Sequence, residues 1–349
     1  MKDKNIFVIG AGASREANLP TGEELKQKII KLLDIDFSFH DQVSGDRIIV
    51  KSFEKLVKDI NPYLNEAWHI KDALPHAISI DNFIDSQRGN EELAVCGKLA
   101  IARSILSAEK DSLLFYRTDN LLSERNKKMN FPSLEKTWYV SFFKLLTENC
   151  TKEDLIDRFK SVVLVIFNYD RCVEHYLFNA LQVYYQITKD ESAEIIKNIN
   201  IYHPYGSVGF LGWQKKYLTI GFGDIPTPDL LIDCAKRIKT FTESTDPSES
   251  EIIAIRDHMA NANKLVFLGF AFHKLNMRLI SPNVDESKSI PHVFATAYGV
   301  SKSDQDVING QIKVMYRKNL TATSPELHIG MADCDCNSFF SEYWRSLSF

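Results

Sequence analysis

The sequence predicts an α/β protein: a Rossmann-like parallel sheet with helices on both faces and a large helical insertion. Four short apolar runs indicate this, each followed by a loop and a helical pattern: residues 5–10 (NIFVIG), 162–167 (VVLVIF), 264–268 (KLVFL) and 292–296 (HVFAT). Continuous apolar runs favour a parallel sheet covered on both faces, because half-exposed antiparallel strands alternate apolar and polar residues. A long, mostly helical stretch separates the first run from the second.

These elements suggest three parts. Residues 1–33 and 161–302 form the sheet domain, residues 34–160 a helical insertion module, and residues 303–349 a C-terminal strand and helix segment packed on the core. Helices are expected over residues 23–33, 90–110 and 134–149. Two further segments carry weaker signals: the Gly- and aromatic-rich residues 207–220 predict a strand or hairpin, and the polar, proline-interrupted residues 243–251 a mobile loop.

Composition excludes some classes of partner. The 349 residues carry a formal net charge of -4 with both signs interspersed, so no basic field indicates nucleic acid or an anionic membrane as a direct partner. The N-terminal apolar run is too short for a signal peptide, and no segment reaches the roughly 18 to 20 apolar residues of a membrane span. The six cysteines lack the paired spacing of a zinc ribbon. We therefore expect a cytoplasmic protein with reduced thiols and no metal site.

The first chemical motif follows the first strand directly: Gly10, Ala11, Gly12, Ala13 and Ser14. Glycines there let the backbone approach a diphosphate, and backbone N–H groups at a helix N-terminus supply a positive end that holds it. The spacing departs from the dinucleotide fingerprint, because the third glycine position is occupied by another residue type, an arginine. The alternative is a glycine turn that serves only strand-to-helix packing.

Polar residues also follow the next two strands, Asn168 and Asp170 in FNYDR and His203 and Gly206 in HPYG. Carboxyl ends of parallel strands form the ligand crevice, so these residues are candidates to face a substrate. Asn168 would hold a ribose hydroxyl or a water, and His203, fixed by the following proline, suits a general base near neutral pH. The alternatives are a helix cap for Asp170, a turn residue for Asn168 and a structural histidine.

A fourth segment, LGFAFHKLN, follows the strand predicted at residues 264–268. Gly269 and Phe270 are candidates to pack against an adenine or a ribose, and Asn276 is a candidate to hydrogen-bond it. The alternative is that Phe270 and Phe272 belong to the core and that Asn276 caps a helix.

Together and in this order, the four segments resemble the sirtuin-like domain family, especially the bacterial sirtuin-like NADases of anti-phage defence. The family pattern is GAGAS-x-x-x-x-LP[ST]G, FNYD, HPYG and a GFGFHPLN-type segment, and here the segments are GAGASREANLPTG, FNYDR, HPYGS and GFAFHKLN. The resemblance spans residues 7 to about 301. Ala271 and Lys274 replace the usual Gly and Pro, and the chain lacks the CxxC pairs of the sirtuin deacylase zinc module.

The resemblance implies that residues 10–14 line the NAD diphosphate and ribose site, that Asn168 and His203 are the catalytic pair, and that Asp170 shapes the pocket. The cofactor-binding candidates are Gly10, Ala11, Gly12, Ala13, Ser14, Asp170, Gly206, Gly269, Phe270 and Asn276. NAD would be the substrate, without a metal, and the products nicotinamide and ADP-ribose.

As an NAD+ glycohydrolase the protein would be the toxic effector of an abortive-infection system, held inactive until a trigger arrives. The same resemblance implies a homo-oligomer and a separate regulatory subunit, either a translocase-type ATPase or a nucleotide-sensing pyrophosphatase-like protein. Two alternatives stay open, an NAD or ADP-ribose sensor without turnover and an NAD-dependent protein deacylase. The choice between NAD and NADP and between hydrolysis and cyclisation is also open, since Arg15 could serve structure or phosphate.

Overall fold

The computed structural model describes residues 4–39, 41–117, 128–244, 250–282, 290–316 and 327–349. The strands are β1 Lys4–Ile9, β2 Asp36–Ser38, β3 Asp41–Ser44, β4 Val162–Ile166, β5 Asn200–Tyr202, β6 Ala262–Leu268, β7 His292–Thr296 and β8 Ile329–Ala332. The helices are α1 Ala11–Ser14, α2 Gly22–Leu33, α3 Arg47–Leu56, α4 Asn61–Ala73, α5 Ile80–Ser86, α6 Glu91–Asp111, α7 Trp138–Thr147, α8 Leu155–Lys160, α9 Cys172–Tyr184, α10 Lys189–Ile196, α11 Pro228–Lys236, α12 Phe241–Ser244, α13 Ser250–Ala260, α14 Lys274–Ile280, α15 Lys302–Met315 and α16 Cys336–Leu347.

Within the described ranges, six strands form one sheet in the order β5-β4-β1-β6-β7-β8. All five pairings are parallel. The chain winds outward from β1 in one direction through β4 and β5, and in the other through β6, β7 and β8. The direction reverses between β1 and β6, and in open α/β sheets ligands bind outside the carboxyl ends of the strands at such a point. The predicted fold class, a Rossmann-like parallel sheet flanked by helices, is confirmed.

Both faces of the sheet are buried, as the apolar runs predict. In β1, Ile6 and Val8 belong to one core cluster and Phe7 and Ile9 to the other, because successive side chains of a strand point to opposite faces. The first cluster includes side chains of α2 to α6, α11 and α13 to α15. The second includes side chains of α7 to α10 and α16. Residues 34–160 therefore pack against both faces of the sheet.

Local sequence signals explain several helix ends. Asn90 accepts a hydrogen bond from the Leu93 N–H and caps α6, so this helix begins one residue later than predicted. A capping box of Thr21 and Glu24 begins α2. The helix predicted over residues 134–149 is shorter, since a 3₁₀ turn precedes α7 and Thr147 is the last helical residue.

Two predictions for the loops need correction. Residues 207–220 form neither a strand nor a hairpin: the described chain has one isolated bridge, Phe210 to Thr219, around a short 3₁₀ turn. Gly209 and Lys215 have positive φ angles there, which turn the chain away from extended geometry. Of the predicted loop 243–251, the described residues at both ends belong to α12 and α13, and residues 245–249 lie outside the described residues.

Among the described residues, no helix has the length and apolarity of a membrane span.

Candidate functional site

The glycine loop, residues 10–14, packs backbone to backbone against the segment after β6. The Gly10 N–H donates to the Leu268 carbonyl at 2.9 Å and the Gly12 N–H to the Gly269 carbonyl at 3.0 Å. A Cβ atom on Gly10 would lie 2.5 Å from the Gly269 oxygen. This close approach requires glycine and agrees with the strand-packing alternative. A diphosphate at this loop would bind amides other than those of Gly10 and Gly12.

Asn168 follows β4 and connects this strand to the glycine loop. Its Nδ2 donates to the Gly10 carbonyl at 3.1 Å and to Ser14 Oγ at 2.8 Å, and Ser14 Oγ in turn donates to Asp170 Oδ2 at 2.9 Å. The second oxygen of Asp170 accepts from the Cys172 N–H at the start of α9. Burial raises the pKa of Asp170, and the hydrogen bonds from Cys172 and Ser14 offset this only in part. Asn168 therefore joins the FNYDR segment to the glycine loop.

His203 follows β5 and joins the same network through the backbone carbonyl of Asn168. Its Nδ1 lies 3.1 Å from the Asn168 carbonyl, and its Nε2 lies 2.8 Å from Glu174 Oε1. A carbonyl oxygen only accepts, so Nδ1 carries a hydrogen. Burial lowers the pKa of His203, but the charge and hydrogen bond of Glu174 and the Asn168 carbonyl outweigh it, and the net shift is upward. An imidazolium with both nitrogens engaged has no lone pair to accept a proton.

Glu174 is a site residue that the sequence analysis missed. It lies in the first turn of α9 and is 4% exposed. Oε1 binds His203, whereas the buried Oε2 has no hydrogen-bond partner among the described residues. The available signal was a carboxylate within the apolar stretch CVEHYLF, one helical turn beyond Asp170.

A cavity of about 410 Å³ lies beside this pair, and we call it the His203 cavity. Glu174, His203, Gly206, Phe210 and Arg237 contribute to its lining, which includes no described residue of the glycine loop. Gly206 has φ +75°, and a Cβ there would lie 1.8 Å from the Arg237 carbonyl oxygen. The geometry of this turn therefore requires glycine at position 206. The role of Gly206 in cofactor binding stays a prediction.

The two candidates of the fourth segment, Phe270 and Asn276, contact residues of the FNYD and HPYG segments. The ring of Phe270 is buried 5.0 Å from that of Phe167, in agreement with the core alternative. Asn276 Oδ1 accepts from the hydroxyl of Tyr205, the tyrosine of HPYG, at 2.6 Å. The tyrosine of FNYD, Tyr169, donates a hydrogen bond to a carboxylate of α5. These contacts connect the HPYG segment to α14 and the FNYD segment to α5.

Arg171 of FNYDR, the residue after Asp170, is buried. Its guanidinium forms a buried ion pair with Glu109 of α6 and donates to the carbonyls of Ile220 and Gly221. The arginine therefore holds α6, the start of α9 and the loop after Gly206 together. In the described part of the chain, no group of three or more His, Cys, Asp or Glu side chains forms a potential metal site.

The structure thus unites Gly10, Ser14, Asn168, Asp170 and His203 in one hydrogen-bonded chain, with Gly269 packed against its glycine end. Comparison with family models, curated proteins and solved structures finds no match.

Proposed function

We propose that this protein binds NAD at the carboxyl edge of its sheet and hydrolyses the bond between nicotinamide and ribose, releasing nicotinamide and ADP-ribose. The observation that carries the proposal is the position of Asn168. Its side chain binds Gly10 and Ser14 of the glycine loop, and its backbone carbonyl binds His203. The segment proposed for the diphosphate and the segment proposed for the reacting ribose therefore meet at one residue.

Cleavage of this bond requires few catalytic groups. Nicotinamide leaves as a neutral molecule from a cationic substrate, so catalysis mainly requires stabilisation of an oxocarbenium-like transition state and a positioned water. Nδ2 of Asn168 is held by the protein, while Oδ1 accepts no hydrogen bond from the described residues. This oxygen would orient a ribose hydroxyl or the attacking water, and the glycine loop would hold the diphosphate.

Regulation and assembly belong to the same proposal. An NAD hydrolase without control would consume the NAD of its own cell, so we propose that activity awaits a trigger, in an anti-phage abortive-infection role. A homo-oligomer and a separate regulatory subunit are the proposed partners.

A second function, an NAD or ADP-ribose sensor without turnover, is favoured by one specific observation. Both nitrogens of His203 are engaged, one by a carbonyl and the other by Glu174. A residue held in this way suits a binding site at least as well as direct proton abstraction.

One assay separates the two functions. Nicotinamide release from NAD is measured for the wild type, Asn168→Ala and His203→Ala, with exposed His76→Ala as the matched control. The proteins encoded beside this chain are added in a parallel series. We expect turnover that falls about 100-fold or more in the two site variants and is unchanged in the control.

Calorimetric titration with NAD accompanies the assay. Binding without release in any series would replace the hydrolase with the sensor, and absence of binding would refute both.

A further inference from the structure

We propose that Glu174 is the catalytic residue that accepts the proton of the attacking water, and that His203 is the cation that positions it. The inference rests on the proposed function, NAD hydrolysis, and assigns its proton transfer to a residue outside the four motifs.

The buried carboxylates of the described residues differ in whether both oxygens accept hydrogen bonds. Three of them lie in the described part of the chain, Glu109 at 0%, Asp170 at 4% and Glu174 at 4% exposed. Both oxygens of Glu109 accept from Arg171, and both oxygens of Asp170 accept hydrogen bonds as well. Glu174 alone among these three keeps an oxygen, Oε2, without a partner in the described residues. A proton acceptor needs such a free lone pair.

The unpaired oxygen belongs to a residue that lines the His203 cavity. Glu174 lines the His203 cavity, and so does Arg237, whose buried Nε also lacks a partner among the described residues. Buried polar groups are nearly always hydrogen-bonded, and leaving one unpaired costs about 1–3 kcal/mol. A ligand that supplies both a donor and an acceptor would satisfy these two buried atoms. A water molecule beside a ribose meets this requirement.

His203 links Asn168 to Glu174. Its Nδ1 hydrogen is directed at the Asn168 carbonyl, so Nε2 is the nitrogen that meets Glu174. A histidine that donates from both nitrogens is a cation, and Nε2 of this cation would face Glu174 Oε1 at 2.8 Å. Its position between Asn168 and Glu174 fixes the two residues relative to each other. His203 therefore acts through Glu174.

The proposed step consumes NAD+ and one water molecule. The water oxygen forms a bond to C1′ of the ribose while the bond from C1′ to the nicotinamide nitrogen breaks. The electron pair of that bond stays on nicotinamide and neutralises its charge. One water proton passes to Glu174 Oε2 and is later released to solvent. NAD+ and water thus give nicotinamide, ADP-ribose and one proton.

The test compares Glu174→Gln with the wild type and with exposed Glu153→Gln as the control. Nicotinamide release is followed as a function of pH. We expect kcat to fall about 100-fold or more in Glu174→Gln with little change in KM, and no change in the control. The pH profiles of the wild type and Glu174→Gln should differ in shape, because only the wild type carries a general base at this position. Added formate should restore part of the activity of Glu174→Ala.

An NMR titration of the His203 imidazole tests the pair without any need for turnover. The charged and titratable groups around it are Glu174 from α9, Glu251 from α13, and Lys236, Arg237 and Lys239 at the end of α11 and just beyond it. Glu174 raises the pKa of His203, so the ring should lose its proton at lower pH in Glu174→Gln than in the wild type. Glu174→Asp, which keeps the charge, should retain most of the wild-type shift.

Three outcomes separate the inference from the proposed function. Turnover in the wild type that survives in Glu174→Gln overturns the inference and leaves the hydrolase intact. Identical titration of His203 in both proteins overturns the pair whatever the activity. A wild type that releases no nicotinamide in any series overturns the hydrolase, and the catalytic role of Glu174 is overturned with it.

Discussion

At the scale of single residues, glycine sets how closely two loops of the site approach. Gly269 has φ +54°, in the left-handed region, and a Cβ on it would lie 2.0 Å from the Ala13 nitrogen. Its carbonyl accepts the Gly12 N–H, and its own N–H donates to Thr296 Oγ1. The residue therefore joins the ends of β1, β6 and β7. Both its backbone conformation and its surroundings exclude a side chain.

Gly269→Ala is expected to destabilise the protein. The left-handed conformation costs a residue other than glycine about 1–2 kcal/mol, and displacement of the glycine loop adds to this. Urea unfolding measures the loss, with Gly310→Ala in α15 as the control, because a Cβ there meets nothing within 4 Å. The control should gain about 0.5–1 kcal/mol in a helix interior. Equal stability of Gly269→Ala and the wild type would contradict the packing described for the two loops.

At the scale of secondary structure, the buried ion pair of Arg171 and Glu109 determines how α6 meets α9. Their side chains are 2% and 0% exposed. Glu109 also accepts from the Gly223 N–H, so the carboxylate anchors the loop after β5 as well. Burial raises the pKa of Glu109, and the charge and hydrogen bonds of Arg171 offset part of that rise. A pair so deeply buried is costly to separate but not always costly to replace.

Glu109→Gln should therefore destabilise the protein by about 3–5 kcal/mol, because it leaves the Arg171 charge buried without a counter-charge. The double variant Glu109→Leu with Arg171→Met should lose less than the single variant, and the comparison is made by chemical denaturation. The exposed pair of Glu194 and Lys197 serves as the control, since Glu194→Gln should change stability by less than about 0.5 kcal/mol. A double variant that is less stable than Glu109→Gln would show that the pair stabilises the fold beyond avoiding an unpaired charge.

At the scale of the whole molecule, the last residues of the chain complete the sheet and one helical layer. β8 pairs with β7 from Val293 to Thr296, and α16 packs on α7. Glu16, just after the glycine loop, accepts from the N–H groups of Trp138 and Asn337 and so connects the loop to both helices. Burial raises the pKa of Glu16, and these two hydrogen bonds offset part of the rise. The site is thus supported by segments far from it in sequence.

Removal of residues 327–349 should therefore abolish folding. It exposes the edge of β7 and uncovers aromatic side chains such as Trp138 and Phe142, which pack against Phe340. Soluble yield and size-exclusion chromatography measure the effect, and deletion of Phe349 alone should leave a soluble protein. A soluble, folded truncated chain would show that β8 and α16 are dispensable for the core.

Patterns within short stretches of sequence predicted the fold class and the position of the polar residues at strand ends. An apolar run buried on both faces is a local property, and so is an Asn, a His or a glycine that follows it at a strand end. For this reason the four strands with continuous apolar runs, and the position of Asn168 at the end of one of them, could be found from their own neighbourhoods. The burial of Phe270 against Phe167 and the contact of Asn276 with Tyr205 depended on side chains distant in sequence. The pairing of His203 with Glu174 is of the same kind: 29 residues separate them, and their contact exists because β5 lies beside β4 at the sheet edge from which α9 starts.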